Sequence, residues 1–157
     1  MLCVCVCQAF YALLDTKHMV EMAQAIGEIE DASKYSAMYS AGTKAYHEHF
    51  WNAKTKRYGA GSQCSSMMAL WIGAVPPELE PVVVKTMVDD IQSTGKYGPN
   101  HLDVGIIGTT FMFDTLTRYG RSDVAIATLL NDSYPSFGHM IANGELALWW
   151  YHQRLNH

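Results

Sequence analysis

Apolar residues recur at helical spacing along almost the whole chain, and glycine or proline interrupts each run. The first run is Gln8 to Ile26. Its Phe10, Leu13, Leu14, Met19, Met22, Ala23 and Ile26 fall mostly three or four positions apart, the spacing that lines one face of a helix. Gly27 follows where a C-cap residue would stand. The second run, Asp31 to Phe50, puts Tyr35, Met38, Tyr39, Ala45, Tyr46 and Phe50 on one stripe, with Asp31 as candidate cap. Trp51 to Gly61 reads as a loop. Ser62 is placed to cap a third helix, Gln63 to Ile72, which is apolar almost all round and so predicted to be buried. Pro76-Pro77 opens a fourth, about Glu78 to Ser93. A glycine loop, 94–100, leads to a fifth, about His101 to Tyr119, which Gly120 ends. A sixth covers about Ser122 to Leu130. After a long loop, Asn131 to Asn143, the pattern predicts a seventh, Glu145 to about Arg154.

The connections alternate in length. Short links lie near Gly27, Ala74-Val75 and Gly120; long ones are Trp51 to Gly61, 94–100 and Asn131 to Asn143. In a ring of antiparallel helices, alternate connections share a rim. The three long loops are therefore expected together on one rim, each leading into the inner helix of a hairpin. Function tends to sit on loops held by a rigid scaffold, and helix N-termini offer free N–H groups, so a site is expected there.

Composition narrows the classes. At 157 residues with 49% apolar content, the chain can build a real core. The formal net charge is −4, and 11 Lys and Arg form no basic cluster, so nucleic acid is not an expected partner. No apolar run is long enough for a transmembrane helix, so no membrane partner is expected, and no convincing signal peptide is present; the compartment stays open. Cys3, Cys5 and Cys7 alternate. In an extended segment they would share one face, but no further ligand stands at zinc-site spacing. Residues 1–7 are expected to be an irregular apolar tail, with 8–157 as the folded domain. Asn131-Asp132-Ser133 fits the glycosylation acceptor pattern. His47 and His49 flank Glu48; residues two apart on a helix diverge, so they are expected on solvated surface rather than as a chelating pair. Asp114 and Asp123 read as exposed helix charges.

Two C-terminal segments carry more information. One is His101-Leu102-Asp103-Val104-Gly105-Ile106-Ile107-Gly108-Thr109. The other is Tyr134-Pro135-Ser136-Phe137-Gly138-His139-Met140-Ile141, followed by Gly144-Glu145-Leu146-Ala147-Leu148-Trp149. Upstream lie Tyr58-Gly59, Gly61-Ser62-Gln63, Ala69-Leu70 and Gly73-Ala74-Val75-Pro76. In this order the motifs resemble the C-terminal part of the catalytic domain of α-L-rhamnosidases, six-hairpin glycosidases. The resemblance implies an all-α fold of antiparallel hairpins, here about seven helices forming part of an (α/α)6 toroid. It implies inverting hydrolysis of terminal α-L-rhamnose without a cofactor, on a rhamnose-containing glycoside or polysaccharide.

The family's acidic proton-donor motif has no counterpart here. Its base glutamate follows the Trp matched by Trp149, where this chain has Trp150. Inverting chemistry needs two carboxyl groups about 6.5–9.5 Å apart, so a truncated chain of little or no activity is expected. Glu145 is the nearest carboxylate and the candidate catalytic residue, although a first-turn glutamate also suits the helix dipole. His101, Trp149, Gln63, Tyr58 and Trp51 are the candidate sugar contacts: imidazole and amide for hydroxyls, rings for the sugar's C–H face. Against each stands a structural role, capping for His101 and Gln63 and packing for the aromatics. The alternative to an enzyme is a non-catalytic module that binds carbohydrate, or self-associates as a homo-oligomer through an open edge of the ring.

Overall fold

The computed structural model describes residues 2–93 and 97–144. Helix α1 (Leu2–Ile26) turns at Gly27 into α2 (Ile29–Phe50). Gly27 takes a left-handed φ of +82°, and Glu28 N–H closes the helix end on Ala23 O at 2.9 Å. A short antiparallel hairpin follows, β1 (Trp51–Asn52) against β2 (Arg57–Tyr58), with Trp51 opposite Tyr58. Then come α3 (Gln63–Trp71), α4 (Glu80–Gln92), α5 (Gly105–Arg118), α6 (Ser122–Leu129) and the short α7 (Phe137–Ala142).

Packing sorts these helices into two layers. Besides its hairpin partner α2, α1 packs on α3, and α3 packs on α5; α4 meets α6. Thus α1, α3 and α5 form an inner arc, with α2, α4 and α6 outside it. The two strongly apolar helices that follow long connections, α3 and α5, are both inner, as their sequences predict. Ser65 to Leu70 of α3 are all buried, with Met67 and Met68 fully so. From α1, Phe10 reaches Phe111 of α5 edge-on, at a centroid distance of 5.2 Å. Each such side chain contributes about 1.5–3 kcal/mol by leaving water. Gly42 lets α2 approach closely: a Cβ there would overlap Leu13 Cδ2.

The structure corrects the sequence reading at several points. Residues 2–7, expected as an irregular tail, are the first turns of α1, because Val6 is buried four residues before Phe10 and extends the same apolar face. The helix also separates the cysteines: Cys5 is exposed while Cys7 packs against the core. The loop after α2 contains a strand pair, a small β addition to the helical class. Helix α5 begins at Gly105 rather than His101, because Gly105 has φ +66° and the Asp103 N–H is held by a side chain. Helix α4 begins at Glu80, two residues late. In the loop expected from Asn131 to Asn143, Ser136 caps α7 by accepting from His139 N–H at 3.0 Å. The helix expected from Glu145 to Arg154 lies outside the described residues. Among the described residues no helix is long and apolar enough to cross a membrane.

Candidate functional site

Hydrogen bonds join the three long connections to one another. The 51–61 segment is tied to the end of α4: Arg57 faces both carboxylate oxygens of Asp90 and also donates to Gly61 O at 2.8 Å. This paired carboxylate raises the affinity of the guanidinium for its proton. Ser62 caps α3 by accepting from Ser65 N–H at 3.2 Å. That leaves Gln63 free to bridge to the next connection. Its Oε1 accepts from Asp103 N–H at 3.0 Å and its Nε2 reaches His101 O at 3.4 Å.

His101 joins that connection to the third. Its ring is buried, with 5% exposed. Nδ1 lies 3.0 Å from Pro99 O and 3.2 Å from Gly98 O. Both are acceptors that a protonated Nδ1 serves. Nε2 lies 3.2 Å from both Ser133 Oγ and Ser133 O and 3.3 Å from Asn131 Nδ2. Asn131 Nδ2 also donates to Asn100 O at 3.0 Å, and Asn131 Oδ1 accepts from Ser133 N–H at 3.0 Å. The Asn-Asp-Ser sequence is therefore an Asx turn, and its amide is spent on the neighbouring loop.

Between these contacts lies an open depression of about 230 Å³, lined by Arg57, Ser62, Gln63, Asp90, Tyr97, His101 and Asp103 among others. This is smaller than the roughly 300–1,000 Å³ of pockets that enclose a small molecule. Its polar lining is largely committed. Arg57 and Asp90 neutralise each other, while Gln63 and His101 hold main chain. Asp103 is exposed and forms no ion pair among the described residues; its carboxylate is the free anionic group of the depression.

Of the expected sugar contacts, Gln63 and His101 do meet at one rim. Trp51 and Tyr58 are brought together elsewhere. Tyr58 is fully buried, and its hydroxyl is hydrogen-bonded to His47 Nδ1 at 2.6 Å. Trp51 stacks on His47 at 5.9 Å and stands 5.2 Å from the Tyr58 ring. Burial pushes the Tyr58 phenol well above its ordinary range. Tyr58 has no face open to a ligand, and neither aromatic lines the depression. His47, expected on solvated surface, is instead half-buried in this cluster; His49 is exposed. Glu145 and Trp149 lie outside the described residues. Among those described, no group of three or more His, Cys, Asp or Glu side chains is placed to hold a metal ion.

Residues 4–156 match the model of the bacterial alpha-L-rhamnosidase 6 hairpin glycosidase domain. The chain belongs to this family. An alpha-L-rhamnosidase of Formosa agariphila is 28% identical over 142 residues, covering 90% of this chain and 15% of that protein. The structure of the alpha-L-rhamnosidase from Dictyoglumus thermophilum superposes with a TM-score of 0.79 at 32% identity, over 86% of this chain and 15% of that one. The Streptomyces avermitilis enzyme, determined in complex with L-rhamnose, gives a TM-score of 0.78 at 26% identity, over 88% of this chain and 13% of its own. The chain thus spans about one-seventh of the length of these rhamnosidases.

Residue-level pattern did not mark Arg57, Asp90, Asn131 or Ser133 as parts of the rim. Arg57 and Asp90 are 33 positions apart, and nothing local pairs them. Asn131 and Ser133 stood out only as an acceptor pattern, although the same spacing is also the signature of an Asx turn.

Proposed function

We propose that this chain forms part of the wall of a rhamnose-processing glycosidase site, in a domain whose complete form hydrolyses terminal α-L-rhamnosides with inversion. The observation that carries this is the joining of all three long connections at one rim, where Gln63 meets His101 and Asp103 beside an open depression. In this reading the Asp103 carboxylate accepts hydrogen bonds from sugar hydroxyls, as does any hydroxyl-binding carboxylate. Gln63 and His101 act behind it by fixing the main chain that presents it. Glu145 is the candidate base and Trp149 the candidate stacking ring. The water-activating and proton-donating roles require two carboxyl groups. Among the described residues the depression offers one unpaired carboxylate, Asp103, so the chain by itself is proposed to turn over little or no substrate.

The test uses the purified chain, an aryl α-L-rhamnoside and L-rhamnose. The expected result is little release of the aryl group, with rhamnose shifting the amide resonances around Gln63 and residues 97–104. Turnover that Glu145→Gln abolishes would show that the chain is catalytic after all. Shifts confined to the Gly27 and Gly120 turns, or none at saturating rhamnose, would refute the placement of the site.

A further inference from the structure

We propose that Asn143 is a site of spontaneous deamidation, gated by the last turn of α7. Of the five asparagines, only Asn143 precedes a glycine. The reaction is intramolecular. The Gly144 backbone nitrogen attacks Cγ of Asn143, a C–N bond forms, and the Cγ–Nδ2 bond breaks. Ammonia leaves with the proton that the Gly144 nitrogen gives up. Water then opens the five-membered succinimide at either carbonyl, which yields aspartate or isoaspartate. Glycine permits the attack because no Cβ crowds the nucleophile. The surroundings are open as well: a Cβ built on Gly144 meets nothing within 4 Å, and both residues are exposed to water.

The native turn holds the reacting atoms apart. Asn143 follows the last residue of α7 with φ −94° and ψ 3°. Ring closure needs Cβ and the Gly144 nitrogen on one side of the Cα–C bond. At a ψ near zero that nitrogen eclipses the Asn143 nitrogen instead, and Cβ stands well to the side. So ψ must rotate, which breaks the bond from Gly144 N–H to Ile141 O at 3.1 Å. The side-chain amide is also held, because Nδ2 donates to His139 O at 2.8 Å and lies 3.1 Å from His139 Nε2.

The two ends of α7 differ in how they are secured. At its start, Ser136 caps the helix, and the Phe137 ring stands 6.0 Å from that of Phe113. Gly138 lies so close to the Asn131 main chain that a Cβ there would overlap Asn131 O. At its end, Ile141 is 72% exposed, and Ala142 is exposed too. Six helical residues are too few to persist on their own hydrogen bonds, so the last turn opens locally while the first stays docked. A reaction confined to the open form runs at a rate set by that form's population. Its product puts a carboxylate at the C-terminal end of α7, where the helix dipole disfavours it, and isoaspartate adds a methylene to the main chain. The inference rests on the chemistry of one peptide bond rather than on rhamnose, so the sugar-binding tests can fail without touching it.

The test incubates the intact chain in mildly alkaline buffer. Peptide mapping by mass spectrometry follows each asparagine, and an isoaspartate-specific methyltransferase assay reads the product mixture. The same chain unfolded in guanidinium chloride gives the ungated rate. In the folded chain, conversion is expected at Asn143 ahead of the other asparagines, and more slowly than in guanidinium. Ala142→Gly weakens the last turn at an exposed position, and circular dichroism confirms that the variant keeps its helices. It should speed conversion in the folded chain about four- to fivefold, the population factor for the helix propensity lost, and leave the unfolded rate nearly unchanged. No conversion at Asn143 in either folded protein would overturn the site. Equal rates in the folded and unfolded parent, or a folded rate that Ala142→Gly does not alter, would overturn the gate.

Discussion

His101→Phe separates the two roles open to this residue. The substitution keeps a flat ring of similar size and removes both nitrogens. In the native ring Nδ1 faces the Pro99 and Gly98 carbonyls, and Nε2 faces Ser133 Oγ, Ser133 O and Asn131 Nδ2. Two hydrogen bonds are lost at about 0.5–1.5 kcal/mol each, and one buried carbonyl left short of a donor adds about 1–3 kcal/mol. Asn131 Nδ2 still reaches Pro99 O at 3.3 Å, which holds the second term near its lower end. The sum is about 2–4 kcal/mol. With a urea slope of about 2 kcal/mol per M, the unfolding midpoint falls by about 1–2 M. Urea titration followed by circular dichroism reads this, at fixed chain concentration so that any association contributes equally. Hydrogen exchange should quicken in both 97–104 and 131–136, the two segments that the ring joins. If His101 instead faces the sugar, His101→Phe leaves the midpoint within about 0.3 M of the parent while rhamnose binding is lost. That outcome would refute the joining role of His101.

The remaining predictions follow from other contacts. Asp103→Asn is expected to weaken rhamnose binding without moving the urea midpoint, since its carboxylate forms no ion pair among the described residues; equal binding by both proteins in a calorimetric titration would remove Asp103 from the site. Met67→Ala empties a fully buried position and should destabilise by about 2–5 kcal/mol; a loss under 1 kcal/mol would mean that α3 is not the centre of the core. Arg57→Ala frees the 57–61 turn from α4 and should cost about 1–2 kcal/mol, within the range of a partly exposed charge-assisted contact; unchanged exchange rates in residues 57–63 would count against that tie. Burial, followed by the nearby Glu80, raises the Tyr119 phenol to about 12 from 10.0. A raised folded-state value means that the neutral phenol's contribution is fully present below pH 10 and is lost as pH climbs towards 12. Urea midpoints should therefore fall across that window, with tyrosinate absorbance appearing on unfolding. A tyrosinate signal near pH 10 in the still-folded protein that Tyr119→Phe removes would contradict it.

The sequence displayed its architecture more openly than its contacts, for a physical reason. Helical periodicity is local, and the apolar run Met67 to Ile72 announces a buried helix without knowledge of any neighbour. The alternation of short and long connections then places the long ones together, because consecutive antiparallel helices leave little other choice. Pairings across distant segments obey no such rule. His47 carries the same imidazole whether it meets water or the Tyr58 hydroxyl, and only the β1–β2 hairpin brings those two within 2.6 Å. The same hairpin turned Tyr58 from a candidate ligand contact into core. The start of α5 was misplaced for a related reason. A Gln63 side chain from 40 positions away holds the Asp103 N–H that an earlier helix start would have used.

These observations bear on how polar residues at such a rim divide their work. A loop that presents a side chain to a ligand must first satisfy its own peptide groups, since a buried N–H or C=O without a partner costs about as much as a hydrogen bond is worth. Residues 98–103 form no regular structure until Gly105, so other side chains supply their partners. Gln63 serves Asp103 and His101, the His101 ring serves Gly98 and Pro99, and Asn131 serves Asn100. Motif reading finds these residues because the fold depends on them, and it cannot distinguish a group that touches sugar from one that holds the loop that does. In the proposed reading, groups already engaged are positioning residues, and an exposed carboxylate outside every ion pair among the described residues, such as Asp103, is where binding chemistry remains available.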